Sequence, residues 1–191
     1  MPRGKQASGS LPESKVSDPE AQARQICLRL LTLAPRTRAQ LATALRRRGI
    51  PAEAAESVLA RFTDVGLIDD AAFARAWVES RHYSRGLSRR SLSAELRRQG
   101  IETEEIRVAV DTLAPEQEVA TARRLVEQKM AGTRGQPPEA RARRAAGTLA
   151  RKGYPPGLIF RLIKEVLEQE DSPEAFELDP DQYLDPDEIG G

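Results

Sequence analysis

The chain contains one histidine and one cysteine, which bounds the chemistry its side chains can perform. A histidine-based triad would have to be built on His82, whose neighbours Ser80, Arg81, Tyr83 and Ser84 offer no nucleophile-and-base spacing. A surface or helix-end histidine is the simpler expectation. Asp69 and Asp70 are adjacent carboxylates. At a helix start, however, neighbouring residues point in different directions, and capping accounts for both without a metal. Gly132-Thr133-Arg134-Gly135 lacks the Gly-Lys-Ser/Thr ending of a phosphate-binding loop and follows no strand. Cys27 lies between Ile26 and Leu28, the setting of a small buried apolar residue. Alone, it makes neither an intramolecular disulfide nor a cysteine-based zinc site. No catalytic, cofactor-binding or metal-binding residue is expected, and the chain is not expected to be an enzyme.

Two further features bear on binding. Phe73 and Trp77 could serve as stacking platforms for unpaired bases, but their i, i+4 spacing among Ala74 and Val78 favours core packing. The basic clusters are the better lead: Arg46-Arg47-Arg48, Arg89-Arg90, Arg97-Arg98, Arg143-Arg144 and Arg151-Lys152. Much of this charge falls at helix C-terminal ends, where the helix dipole accounts for roughly 0.3–1 kcal/mol per base. That covers one or two bases per helix and does not require three arginines together. Repeated along one edge of an array, the clusters form a positive stripe suited to a phosphate backbone or an acidic protein groove. All eleven residues are therefore candidates for contact with a partner or DNA.

The net charge of +1 conceals a segregation. Residues 20–170 carry 27 Lys+Arg and 19 Asp+Glu, whereas residues 171–191 carry eight acids and no base. A basic body with an acidic tail suggests a polyanionic partner, or screening of the body by the tail. The bland alternative is a solvated helical surface in an arginine-rich protein. No apolar run approaches the roughly 18 residues that span a bilayer, and the N-terminus has no apolar segment of a secretory signal. A cytoplasmic protein with no membrane partner and no cofactor, acting as a monomer, is the expectation.

The elements that position the arginines follow from a repeat. Residues 38–50 (RAQLATALRRRGI) and 89–101 (RRSLSAELRRQGI) align without gaps, sharing Arg38/Arg89, Leu41/Leu92, Leu45/Leu96, Gly49/Gly100 and Ile50/Ile101. A fainter copy, ARRAAGTLARKGY, spans 142–154; there Ala145 stands where the leucines do and Tyr154 replaces isoleucine. Self-similarity at this period marks stacked helical units, each too small to bury its own apolar face well. Asp18, Thr37, Asp69, Ser88 and Thr103 are ready N-caps, and Gly49, Gly66, Gly86 and Gly100 are ready stops. No segment alternates with period two. The fold class expected is all-α: three tandem three-helix units in an elongated, curved array. The expected organisation is a polar tail (1–17), a first unit with its lead and connecting helices (18–82), a second unit (83–131), a linker (132–138), a third unit (139–170) and an acidic tail (171–191). Both tails are expected to be disordered.

Within residues 66–101, the ordered elements Gly66-Leu67-Ile68-Asp69-Asp70, Phe73-Ala74, Trp77, Arg81, Gly86, Glu95-Leu96 and Gly100-Ile101 closely resemble the RecX family of regulators of the RecA recombinase. The resemblance extends more weakly over about 21–170 and excludes both tails. It implies a curved protein of three tandem three-helix repeats that binds the RecA–DNA filament in its groove. It further implies suppression of strand exchange, ATP hydrolysis and coprotease activity without catalysis, and only weak contact with DNA, within the filament. The residues alone leave two alternatives open: a direct DNA-binding module of helix-turn-helix type, and a helical-repeat adaptor for another protein.

Overall fold

The computed structural model describes residues 18–170 and places them in nine helices with no strand among the described residues. The helices are α1 (Pro19–Leu33), α2 (Arg38–Arg47), α3 (Ala52–Asp64), α4 (Asp70–Arg85), α5 (Arg89–Arg98), α6 (Thr103–Asp111), α7 (Pro115–Ala131), α8 (Pro138–Arg151) and α9 (Pro156–Gln169). The expected disorder of the two tails falls on residues outside the described ones.

Side-chain oxygens open the helices where the sequence offers them. Asp18 accepts from the Glu20 amide at 3.0 Å, and Asp69 from the Ala72 amide at 2.7 Å. Thr37 accepts from Gln40 at 3.1 Å, with the Gln40 side chain returning to the Thr37 amide, so α2 opens on a full capping box. Ser88 caps α5 through the Ser91 amide at 3.2 Å. The expected cap at Thr103 is corrected by one residue: Glu102 is the N-cap of α6, makes no side-chain cap bond, and Thr103 is the first helical residue. Ile101 is buried in the core, so the chain re-enters helix within a single residue of it.

Three separate apolar cores hold these helices. Ala23, Cys27, Leu41, Leu45, Val58, Leu59 and Phe62 unite α1–α3. Ala74, Val78, Leu92, Leu96, Ile106, Ala109 and Val110 unite α4–α6. Ala122, Val126, Met130, Ala145, Leu149, Ile159, Leu162 and Ile163 unite α7–α9. The repeated leucines Leu41, Leu45, Leu92 and Leu96 are all fully buried, as the i, i+4 spacing demands. The fold is therefore an all-α array of three tandem three-helix units. The cores draw its boundaries elsewhere than at 82/83 and 131/139, because α4 packs with α5 and α6 and α7 with α8 and α9. The repeat is plainest in the middle helix of each unit; the helix preceding each copy shares only a short Ala-x-Ala-Arg string (21–24, 72–75, 120–123), whose inner alanines Ala23, Ala74 and Ala122 are fully buried.

The residues singled out for chemistry take structural places. Cys27 is fully buried, and burial pushes its thiol pKa up, away from the reactive thiolate. His82 spans two units: its Nδ1 bonds the Leu87 carbonyl at 2.9 Å and its Nε2 the Thr121 hydroxyl, on α7, at 2.9 Å. In the neutral form the carbonyl takes the Nδ1 proton and the hydroxyl donates to Nε2. Asp69 and Asp70 diverge onto different helices: the first caps its own, and the second accepts the Arg38 amide at the start of α2 at 2.9 Å.

A candidate polyanion-binding groove at a unit junction

The middle helices α2, α5 and α8 stack end to end, each junction seating the C-terminal end of a later helix on the N-terminal end of an earlier one. At the first junction the Gln99 carbonyl, closing α5, accepts the Thr37 hydroxyl at 2.8 Å, and Gly100 lies against Ala39 in the first turn of α2. At the second, the Lys152 carbonyl, closing α8, accepts the Ser88 amide at 3.0 Å, and Gly153 lies against Ser88 and Ser91. Each junction adds a carboxylate from the first helix of the later unit. Asp70 takes the Arg38 amide, and Glu118 takes the Arg89 amide at 2.8 Å. The caps themselves, Thr37 and Ser88, are buried polar residues, so these bonds replace water that has been excluded.

This arrangement decides what the helix dipole can explain. At both junctions the negative C-terminal end of one helix meets the positive N-terminal end of the next, and the two ends compensate each other. Arg97, Arg98 and Arg151 therefore stand where a dipole argument needs no cation. Only the C-terminal end of α2 lacks a following helix, and there Arg48 donates to the Ala44 carbonyl at 3.1 Å, an ordinary helix-end contact.

Among the eleven candidate basic residues, two are tied into the unit junctions and nine are exposed. Arg89 pairs with Asp111 on α6, the counterpart of Arg38 pairing with Glu56 on α3. The Lys152 ammonium donates to the Arg85 carbonyl, and its pKa is lowered, first by burial and then by the Arg85 charge. These two are junction residues. Arg46, Arg47, Arg48, Arg90, Arg97, Arg98, Arg143, Arg144 and Arg151 are exposed.

The first junction brings two of the exposed clusters together. Arg47 of α2 and Arg98 of α5 line one groove of about 440 Å³ with Arg36, floored by Gln40, Gln99 and Gly100. Among the described residues none of these three guanidinium groups pairs with a carboxylate. Arg36 escapes sequence reasoning because Leu87 occupies its place in the second copy, so the repeat gives no signal for it. Three unpaired guanidinium groups around one cleft can take carboxylate or phosphate oxygens, bidentately where geometry allows.

The second junction is built from the same parts but carries a carboxylate beside it, bound to α4. Glu95 stands where the first unit has Ala44. Its carboxylate accepts the Trp77 indole N–H at 2.9 Å and lies 3.9 Å from Arg81 and 3.8 Å from Arg85. Trp77 in turn lies between Phe73, stacked at a centroid distance of 5.5 Å, and Arg81, whose guanidinium sits 4.3 Å from the ring centroid. Phe73, Trp77, Arg81 and Glu95 thus form one network joining α4 to α5. Phe73 and Trp77 pack half-buried at the core edge, with Arg81 over the indole.

Comparison with known proteins matches this architecture unit by unit. Family models described as RecX first, second and third three-helix domains match residues 23–62, 69–110 and 116–163. A Regulatory protein RecX of Thermobifida fusca is 61% identical over 150 residues, covering 78% of this chain and 81% of that protein. One from Streptomyces coelicolor is 60% identical over 153 residues, covering 80% and 81%. The crystal structure of RecX from Lactobacillus salivarius shares the fold, with a TM-score of 0.71 over 79% of this chain and 98% of that one at 18% identity. A second crystal structure, of a regulatory protein RecX, is 26% identical with a TM-score of 0.68, covering 78% of this chain and 73% of that one. With three matched domains in register with three packed cores, the chain belongs to the RecX family.

Proposed function

We propose that the chain is a negative modulator of RecA, acting by binding the RecA–DNA filament and inhibiting its recombinase, ATPase and coprotease activities. It does so as a cytoplasmic monomer without catalysis of its own. The observation that carries this reading is the set of exposed arginines along the α2–α5–α8 column, of which Arg97, Arg98 and Arg151 stand where helix-end electrostatics do not require them, in a chain of this family. A column of three units can touch several filament subunits at once. Linked weak contacts then bind far more tightly than any one of them. The arginines face acidic protein surface or the phosphates of DNA held in the filament.

The test is titration of the purified full chain into RecA assembled on single-stranded DNA. ATP hydrolysis should fall at substoichiometric amounts, and the chain should co-sediment with filaments. Absence of both overturns the proposal. Arg47→Glu with Arg98→Glu should weaken inhibition about tenfold or more, the loss of one charge-assisted contact of about 1.5–3 kcal/mol, with the helical circular-dichroism signal unchanged. The rival reading, direct binding to bare duplex, predicts tight binding without RecA and a steep loss of affinity with salt. A salt titration by gel shift separates the two.

A further inference from the structure

Two junctions of one design differ in charge: the first gathers Arg36, Arg47 and Arg98 with no carboxylate partner among the described residues, whereas at the second Leu87 replaces Arg36 and Glu95, bound to Arg81 and Arg85 of α4, replaces Ala44. The chain itself carries charge of the opposite sign. Residues 171–191, which lie outside the described residues, carry eight acids and no base, with Phe176, Leu178, Tyr183 and Leu184 among them. We propose that the groove of Arg36, Arg47 and Arg98 is the docking site for this acidic C-terminal segment of the same chain.

Length permits it. The tail leaves α9 beside Arg141, whose guanidinium bonds Glu170 at 2.9 Å near the start of α8. From there to the groove the path follows α8 and α5, helices of 14 and 10 residues. At 1.5 Å per residue that is roughly 36 Å plus the junction. Twenty-one residues extend to roughly 70 Å at full stretch, so the last third of the tail, with Asp185, Asp187 and Glu188, reaches the groove with slack. Charge selects the groove over other exposed arginines: it gathers three unpaired guanidinium groups in a concave site, whereas Arg143 and Arg144 lie exposed on α8. Tethering supplies an effective concentration on the order of millimolar, so even a weak contact is populated. A docked tail competes with any other polyanion for the groove. The inference rests on the groove and the tail composition alone, so it stands or falls separately from inhibition of RecA.

The experiment uses the full chain carrying Gln182→Cys with a nitroxide label, selective because Cys27 is fully buried. At low salt the amide NMR signals of Ala44, Arg47, Arg98 and Gly100 should lose at least half their intensity, recovering at about 0.5 M salt, where screening is within a few Å. Ala44→Glu, which writes the carboxylate of the second junction into the first, should abolish the broadening while leaving the chemical shifts of the third unit unchanged. Removing residues 171–191 should tighten binding of a bare single-stranded oligonucleotide by about 2- to 10-fold, the range expected when effective concentration is one to ten times the dissociation constant. In Ala44→Glu the same truncation should have no such effect. Broadening spread evenly over the surface, or centred on Arg143 and Arg144, overturns the proposal. So does a groove unaffected by the label, which leaves polynucleotide or partner protein as its occupant.

Discussion

The end-to-end junctions make a sharp prediction about three glycines. Gly49, Gly100 and Gly153 share one backbone conformation, with φ of 74°, 80° and 84°, and occupy the same place at the end of α2, α5 and α8. They differ in what a methyl group would meet. A Cβ on Gly49 has nothing within 4 Å. A Cβ on Gly100 would overlap Ala39, whose own Cβ is fixed to the α2 backbone, and its next neighbour is the Ala39 Cα at 3.8 Å. A Cβ on Gly153 would overlap the Ser91 hydroxyl, come within 2.6 Å of the Ser88 hydroxyl that caps α5, and lie 3.1 Å from the Ser91 Cβ. Alanine in the left-handed region costs about 1–2 kcal/mol anywhere, and that is the whole cost for Gly49→Ala. Gly100→Ala adds overpacking against a rigid neighbour, about 1–3 kcal/mol, for a total of about 2–5 kcal/mol. At about 2–4 °C per kcal/mol for a chain of this size, Gly49→Ala should lower Tm by about 2–8 °C and Gly100→Ala by about 4–20 °C. Gly153→Ala should fall between them or match Gly100→Ala, because a serine hydroxyl can rotate away but then gives up its cap, worth about 1 kcal/mol. Thermal and urea denaturation of the three variants supply the measurement. Hydrogen exchange localises it: Gly100→Ala should expose the amides of Arg38 and Gln40, held by Asp70 and Thr37. A double-mutant cycle with Ala39→Gly isolates the steric contact. If Gly100→Ala proves no more destabilising than Gly49→Ala, the end-to-end column is refuted.

Other consequences are equally open to measurement. Glu95→Ala leaves the Trp77 indole N–H without an acceptor and two guanidinium groups without a counter-charge; we expect a loss of about 1–3 kcal/mol, with a red shift of the emission of Trp77, the one tryptophan. The Tyr154 hydroxyl donates to the Gly86 carbonyl at 3.0 Å across the second junction, and burial, the leading cause, pushes its pKa far up. In ultraviolet titration one tyrosine should therefore stay protonated until the fold is lost, and Tyr154→Phe should remove that late step. Arg141, buried but for its contact with Glu170, holds the Glu170 carboxyl below its ordinary value, chiefly by hydrogen bonding. A depressed folded-state pKa contributes stability present above the unfolded value and lost as pH falls through the folded one. Wild type should lose stability on acidification below the ordinary carboxylate range, and Glu170→Gln should show a shallower loss; identical acid profiles would remove the pair from the account.

Much of the fold is legible in sequence because its signals are local. Thr37, Ser88 and Asp69 announce helix starts by their own hydroxyl and carboxylate chemistry, and Leu41, Leu45, Leu92 and Leu96 announce a buried face by spacing alone. Unit boundaries are less legible, since α1, α4 and α7 share only the short Ala-x-Ala-Arg string at 21–24, 72–75 and 120–123, and packing of Ala23, Ala74 and Ala122 is what gives it meaning. The groove was least legible. Arg47 and Arg98 belong to different copies and meet through stacking that no spacing encodes, while Arg36 has leucine as its counterpart in the second copy. The contrast of Ala44 with Glu95 is visible in an alignment of the repeats, yet its meaning emerges only once Trp77, Arg81 and Arg85 are seen to converge on the carboxylate.

A repeat that joins a C-terminal end to an N-terminal end has no intrinsic length, because every added unit presents a fresh surface of each kind. Contacts of this heterologous type build open filaments unless something stops them. The open end of the column lies at the start of α8. α8 begins about one turn before the places that align with Ser88 and Arg89, and its N-cap and first helical residue are Pro137 and Pro138, where α2 and α5 have Thr37-Arg38 and Ser88-Arg89. Proline at these two places offers no hydroxyl and no amide for an incoming carbonyl or carboxylate. The exposed end of α2 on a second molecule, with Gly49 and the Arg48 carbonyl, would meet there neither the hydroxyl nor the first-residue amide that the internal junctions use. Two prolines thus make the open end of the column a poorer seat for a further unit than the starts of α2 and α5.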